Sequence, residues 1–165
     1  MEVREHTISM LVNNKPGALA RVAGVFGRLG YNIESLCVAE TISPKISRIT
    51  SVSKADSAFI EKVRKQLERL VDVIEVHELK RIDSVQREMI LVGISLSKEN
   101  RTEILQAISA FGCKIISMKH DYCIMQIAGS KEEAETTLNF FKHLGITQIA
   151  RTGAIALPRV ENSDY

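Results

Sequence analysis

The segment Asn14–Leu36, NKPGALARVAGVFGRLGYNIESL, constrains the fold most, because it combines a tight loop, an amphipathic helix and the start of a strand. Apolar residues recur on one helix face at Leu19, Val22, Ala23, Phe26 and Leu29. Asn14 predicts the N-cap of this helix, Pro16 is tolerated in a first turn, and Gly30 predicts the left-handed residue that ends it. Backbone N–H groups at a helix N-terminus favour anions. The segment therefore predicts a place for a small carboxylate.

The first half of the chain predicts the element order βαββαβ. Alternating or β-rich runs predict four strands, at His6–Val12, Tyr31–Glu40, Ile46–Ser53 and Val71–Leu79. The helix described above lies between the first two strands. Asp56 predicts the cap of a second helix, whose apolar face comprises Phe59, Val63, Leu67 and Leu70.

The second half repeats this order with a different sequence. Its strands are predicted at Glu88–Leu96, Lys114–Lys119, Tyr122–Ala128 and Ile146–Leu157, the last broken near Gly153. Two capping-box signatures, Asn100 with Glu103 and Ser130 with Glu133, predict the starts of its helices. The apolar faces of these helices are predicted to comprise Ile104, Ile108 and Phe111 in the first, and Ala134, Leu138, Phe141 and Leu144 in the second.

A polar connection at Lys80–Gln86 separates the halves, so we predict domains at residues 1–80 and 81–165, with a loose tail at Pro158–Tyr165. The order βαββαβ is the split βαβ of ferredoxin-like folds. The fold class is therefore α+β, with two tandem ferredoxin-like domains.

Charge and cysteine content exclude several functional classes. Lys and Arg number 22 against 20 Asp and Glu, a balance too even to indicate a nucleic-acid partner or an anionic membrane surface. No apolar run approaches the ~20 residues of a membrane span, and no signal-peptide core is present. Three cysteines without paired spacing fit a reducing compartment. We expect a cytoplasmic protein.

Two features predict a homodimer through the first domain. The second strand of this topology lies at a sheet edge and here carries Ile33, Leu36 and Val38, which favour association. Beside the core face of the first helix runs a strip of small residues that would allow another backbone to approach closely: Ala20, Gly24 and Gly27. A symmetric pair would cover both features.

Several runs of residues carry a resemblance to a known family. They are NKPGALARVAGVF, GYNIESL, SRIT, VDVIEV and, across the domain boundary, VQREMILV. Together they resemble the regulatory (small) subunit of acetolactate synthase, also called acetohydroxyacid synthase, whose N-terminal half is an ACT domain. The resemblance covers nearly the whole chain and is diffuse after residue 97.

The resemblance implies a regulatory protein with no active site and no cofactor or metal of its own. Its partner would be the large catalytic subunit, which carries thiamine diphosphate, magnesium and FAD. It would raise that subunit's activity and make it sensitive to valine or to another branched-chain amino acid such as isoleucine. The effector site carried over from the family comprises Asn14, Gly17, Ala18 and Leu19 of one protomer with Asn32 and Ile33 from the second strand of the other.

Some residues leave alternatives open. Ser51 and Ser53 stand where the family usually has aliphatic residues, which puts the burial of the third strand in doubt. Arg21 and Arg28 predict either a solvated helix face or a docking surface for the catalytic subunit. A free-standing ACT-type amino-acid sensor is one alternative function. A metal-responsive regulator is a second, although His120 and Cys123 alone are a sparse ligand set.

Overall fold

The computed structural model describes residues 3–160. Its helices are α1 Ala18–Arg28, α2 Ser57–Leu67, α3 Arg101–Ala110 and α4 Lys131–Phe141. Its strands are β1 Arg4–Asn13, β2 Ser35–Glu40, β3 Ile46–Ala55, β4 Val73–Glu78, β5 Ser84–Ser95, β6 Lys114–Met118, β7 Tyr122–Gly129, β8 Ile146–Arg151 and β9 Ile155–Pro158.

These elements form two βαββαβ arrangements, which confirms the predicted fold class. The first sheet is antiparallel with strand order β2-β3-β1-β4, and the second has the corresponding order β6-β7-β5-β8. Each sheet packs its helices against one face around its own apolar core. The strand β2 lies at a sheet edge, as the topology predicts.

The first core follows the predicted periodicities, with one shift in α1. Ile8, Met10 and Val12 alternate into the core from β1. In α1 the buried stripe comprises Ala18, Val22, Val25 and Phe26. Leu19 was predicted on this stripe and is instead 41% exposed, because the helix begins at residue 18 and its core face is rotated past position 19.

The division of the chain differs in position from the predicted one at residue 80. One compact unit comprises the described residues up to Gln86 together with those from Ala154 onward, and the other comprises Arg87–Gly153. The segment at 80–86 is not only a connection, because β5 already begins at Ser84. Residues 155–157 were predicted to end the last strand of the second half, and Pro158 to begin the tail. Together they form β9, which pairs with β5. The part of the predicted tail beyond residue 160 lies outside the described residues.

The helix caps of the second unit were predicted with mixed success. Ser130 and Glu133 form the predicted capping box, with Ser130 Oγ accepting from the Glu133 N–H at 3.3 Å. Asn100 is the N-cap residue of α3 but makes no side-chain cap bond, so that capping box was wrong. Its Oδ1 accepts from the Ser97 N–H at 2.7 Å instead. Phe111, predicted in the core, is exposed and lies beside Phe140.

The side chains of Ser51 and Ser53 are buried on the helix-facing side of β3, which resolves the doubt about this strand. Both residues are 1% exposed, and their register partners on β1 are Ile8 and His6. Neither hydroxyl has a hydrogen-bond partner among the described residues, and the same holds for His6 Nε2. The third strand is therefore a core strand that carries polar groups at two core positions.

Gly93 lies in the middle of β5, where a tyrosine crosses the backbone. A Cβ at this position would overlap the hydroxyl of Tyr122 and come within 3.0 Å of the Gln148 side chain. Gln148 Nε2 donates to the Tyr122 hydroxyl at 2.8 Å. The absence of a side chain at residue 93 thus makes room for the ring of a neighbouring strand.

No helix within residues 3–160 is long and apolar enough to cross a membrane.

Candidate functional site

The loop between β1 and α1 ends at Gly17, not at the predicted cap Asn14. Gly17 is the N-cap residue of α1, with φ 84°, and no side chain caps the helix. A left-handed residue at this position favours glycine. Pro16 consequently precedes the helix instead of lying in its first turn.

The side chain of Asn14 holds the loop to the turn between β2 and β3. Its Nδ2 donates to the Pro44 carbonyl at 2.9 Å and to Glu40 Oε1 at 3.1 Å, and its backbone N–H donates to the Lys45 carbonyl at 2.8 Å. These bonds explain why Asn14 does not cap α1. The side-chain oxygen Oδ1 has no donor among residues 3–160, so it can accept a hydrogen bond from a ligand.

The backbone N–H groups where α1 begins differ in whether they have an acceptor. Ala18 N–H donates to the Lys15 carbonyl at 3.2 Å and Arg21 N–H to the Gly17 carbonyl at 3.0 Å. Within the described part of the chain, the N–H groups of Gly17, Leu19 and Ala20 have no acceptor. Such groups at the positive end of a helix dipole favour an anion. The exposed Leu19 side chain adds apolar surface beside them.

An ion pair that the sequence analysis missed fixes the next turn of α1. Arg21 was predicted on a solvated face or a docking surface, but its Nε donates to Asp72 Oδ2 at 2.9 Å and its Nη2 bonds the same oxygen. Asp72 lies just before β4 and is buried. Because the partners are 51 residues apart, no local pattern indicates the pair.

Asn32 and Ile33 are not brought to this site within one chain. Both were predicted on the second strand, but they precede β2, which begins at Ser35. They follow the C-terminal end of α1, whose 11 residues span ~16 Å. Asn32 is exposed and donates to Glu34 Oε1 at 3.2 Å, whereas Ile33 is half-buried against the first core. Of the six predicted site residues, the structure therefore groups Asn14, Gly17, Ala18 and Leu19.

Comparison with known proteins identifies the family. Residues 8–75 match the profile described as AHAS small subunit-like ACT domain, and residues 87–160 match the profile of the small subunit of acetolactate synthase. The chain belongs to the acetolactate synthase small-subunit family.

Relatives of this family and a solved structure match along almost the whole chain. A probable acetolactate synthase small subunit of Archaeoglobus fulgidus is 39% identical over 155 residues, covering 94% of this chain and 97% of that protein. The acetolactate synthase small subunit of Mycobacterium bovis is 35% identical over 159 residues, with 96% and 95% covered. The crystal structure of the acetolactate synthase small subunit from Thermotoga maritima has a TM-score of 0.89 at 37% identity, with 95% and 98% covered.

Membership of the small-subunit family sets the role of the chain in outline. The acetolactate synthase small subunit is the regulatory subunit and is not catalytic by itself, which implies a large catalytic subunit as its partner. The ACT profile covers the loop and helix that carry Asn14, Gly17 and Leu19. No cluster of three or more His, Cys, Asp or Glu side chains within the described ranges could hold a metal ion. Of the two ligands considered for a metal-responsive regulator, Cys123 faces the second core and His120 is exposed.

Proposed function

We propose that this small subunit activates the catalytic subunit of acetolactate synthase and makes it sensitive to valine or another branched-chain amino acid. The observation that carries the effector part is a grouping at the start of α1. Within residues 3–160, the N–H groups of Gly17, Leu19 and Ala20 have no acceptor, and Oδ1 of Asn14 has no donor. The two sets match the two charged groups of an amino acid. Thiamine diphosphate, magnesium and FAD belong, in this proposal, to the catalytic partner.

The chemistry of the site assigns each part of the effector to a group on the protein. The α-carboxylate accepts from the N–H groups that begin α1, and the α-ammonium donates to Asn14 Oδ1. The exposed side chain of Leu19 contacts a small branched aliphatic side chain, which would lose water on binding.

The second half of the site comes, in this proposal, from another copy of the chain. Asn32 and Ile33 lie at the far end of α1 in the same protomer, so only a dimer can bring them to Asn14. The edge strand β2 and the glycines of α1 support a dimer through the first unit. A Cβ at Gly24 or Gly27 would meet nothing within 4 Å, so this strip of the helix is open to a second backbone.

We also propose a cytoplasmic location for the assembled enzyme. Cys37, Cys113 and Cys123 are free thiols, as expected in a reducing compartment. The biosynthetic role of the family supports the same location.

Reconstitution with the catalytic subunit tests the proposal. Activity is measured with and without the small subunit, and then during a valine titration, for the wild type and for Asn14→Ala and Asn32→Ala. Loss of one ligand hydrogen bond of ~1.4 kcal/mol raises the valine concentration for half-inhibition about tenfold. Activation should persist in both variants, because neither side chain belongs to a core.

Asn139→Ala is the matched control, since Asn139 is an exposed asparagine on α4 of the second unit. It should leave both activation and inhibition unchanged. A wild-type chain that does not raise catalytic activity would contradict the activating role. Identical valine curves for all four proteins would place the effector site elsewhere.

A further inference from the structure

Asp72 holds both ends of the loop that carries the proposed effector groups. Its backbone carbonyl accepts from the Asn13 N–H at 2.8 Å, at the end of β1. Its side-chain oxygen Oδ2 accepts from Arg21 Nε at 2.9 Å, in the first turns of α1. The intervening residues 14–20 contain every group proposed to bind the effector within one protomer. Both ends of the loop are thus hydrogen-bonded to one residue, Asp72, which lies in the connection between α2 and β4.

The guanidinium of Arg21 also lies against the loop itself. Its Nη1, which makes no bond to Asp72, lies 3.0 Å from the position that a Cβ of Gly17 would occupy. Gly17 therefore has two requirements, a φ of 84° and space for Arg21. The Arg21 side chain, which pairs with Asp72, therefore lies beside Gly17, the N-cap residue of α1.

The two partners of this ion pair differ in burial, so the more buried one fixes the orientation of the other. The Asp72 side chain is 10% exposed and that of Arg21 is 47% exposed. A carboxylate taken out of water is stable only with a well-placed partner. Asp72 consequently fixes Arg21 in one orientation, whereas Arg21 alone could turn into solvent.

We propose that Asp72, acting through Arg21, is a positioning residue of the effector site. The pair holds the N–H groups of Gly17, Leu19 and Ala20 and the side chain of Asn14 in the arrangement that binds an amino acid. Asp72 does not touch the effector. This inference rests on the effector site proposed above.

If Asp72 only stabilised the fold, removal of a similar ion pair elsewhere should weaken effector binding equally. The second unit contains such a pair. Arg151 Nη2 donates to Glu88 Oε1 at 2.6 Å, and the side chains are 37% and 7% exposed. This pair therefore has nearly the same burial as Arg21 with Asp72, but lies in the unit that carries none of the proposed effector groups. Glu88→Gln and Asp72→Asn each remove one buried carboxylate charge beside a half-exposed arginine, with the difference that Arg151 also pairs with Glu135 at 2.9 Å.

The experiment measures binding of valine, leucine and isoleucine to the full-length chain by calorimetry, together with urea unfolding, for the wild type and both variants. We expect Asp72→Asn to raise the Kd of the preferred amino acid about tenfold or more. Losses of this size are typical when a residue that orients the direct ligands of a metal site is removed. Glu88→Gln should change the Kd by less than about twofold at a comparable loss of stability. Half-maximal activation of the catalytic subunit should be unchanged in Glu88→Gln.

Arg21→Lys provides a second variant that keeps the positive charge and removes the planar fork. It should remain folded and bind with an intermediate Kd, because an ammonium makes fewer fixed contacts with a carboxylate. A wild-type Kd retained in Asp72→Asn or in Arg21→Lys overturns the positioning role and leaves the proposed function intact. Equal weakening by Glu88→Gln shows that affinity follows overall stability and also overturns it. A wild-type chain that binds none of the three amino acids overturns the effector site and this inference together.

Discussion

The backbone N–H of Ala154 donates to the side-chain oxygen of Ser35 at 3.0 Å, across 119 residues of sequence. Ser35 lies at the start of β2, on the same sheet face as its register partner Val52. Beyond it, β9 contacts β1, and the Arg159 N–H donates to the Asp83 carbonyl at 2.8 Å. The C-terminal segment is therefore a structural part of the first unit.

Removal of the chain from Ala154 onward should destabilise the first unit. The truncation deletes the bond to Ser35 and removes β9 from its contact with β1, the strand that pairs with β3. Hydrogen exchange followed by mass spectrometry should show faster exchange in these two strands. Ser35→Ala should give a smaller change of the same sign, about 1 kcal/mol. Faster exchange confined to residues 87–153 would contradict this view of the segment.

The buried hydroxyl of Ser51 should destabilise the folded protein, and its replacement by alanine should remove this cost. Ser51 Oγ has no hydrogen-bond partner among the described residues, and an unsatisfied buried polar group costs about 1–3 kcal/mol. We expect Ser51→Ala to raise the free energy of unfolding by about 1 kcal/mol. Ser84→Ala is the control of opposite sign, because Ser84 Oγ is also buried but donates to the Lys80 carbonyl at 2.7 Å. Urea denaturation of both variants checks the pair, and a destabilised Ser51→Ala would refute the prediction.

Substitution of Gly24 should affect the proposed dimer without affecting the stability of the protomer. A Cβ at Gly24 meets nothing within 4 Å, and Gly in a helix interior costs up to about 1 kcal/mol relative to good helix formers. Gly24→Leu should therefore leave the protomer folded while it weakens the dimer, because the side chain would occupy the close approach between protomers. Sedimentation equilibrium and circular dichroism measure the two effects. Thr136→Leu, at an exposed position of α4, should change neither. A dimer of undiminished affinity in Gly24→Leu would rule out this interface.

Acid should loosen the start of α4 through Glu133. The hydrogen bond from the Ser130 N–H, at 2.7 Å, holds the pKa of the Glu133 carboxyl below its ordinary value of 4.5. Because the folded-state pKa is depressed, this contribution is fully present above the ordinary value and is lost as the pH falls through the lowered one. The protection factor of the Ser130 amide, which is its intrinsic exchange rate divided by the rate measured by NMR at the same pH, should fall between about pH 6 and about pH 3. In Glu133→Gln, which can accept the same bond without titrating, this fall should be absent.

The sequence predicted well those features whose partners are close in the chain. The capping box of α4 joins Ser130 to a residue three positions later, and Asp56 Oδ1 accepts from the Phe59 N–H at 2.8 Å over the same spacing. Periodicity likewise predicted the core faces of β1 and α2. In these cases the local pattern contains both partners of each interaction.

The errors arose where a distant residue competes for a side chain. Asparagine is a common N-cap residue, but the side-chain amide of Asn14 donates instead to Pro44 and Glu40, which are 30 and 26 residues away. Asn100 Nδ2 likewise donates to the Leu144 carbonyl at 3.5 Å, 44 residues away, and Asn100 also bonds to Ser95 and Ser97 nearby. The pairing of β9 could not be predicted because its partner strand lies about seventy residues earlier, a separation at which periodicity carries no information.

The crossing of Tyr122 over Gly93 has a consequence for how this family can vary. A side chain can appear at position 93 only if the ring at position 122 moves or becomes smaller, since both would occupy the same volume. The hydrogen bond from Gln148 would be lost in the same change. Homologous sequences are therefore expected to carry a side chain at position 93 only together with a smaller residue at position 122, and a library that randomises position 93 alone should return almost only glycine.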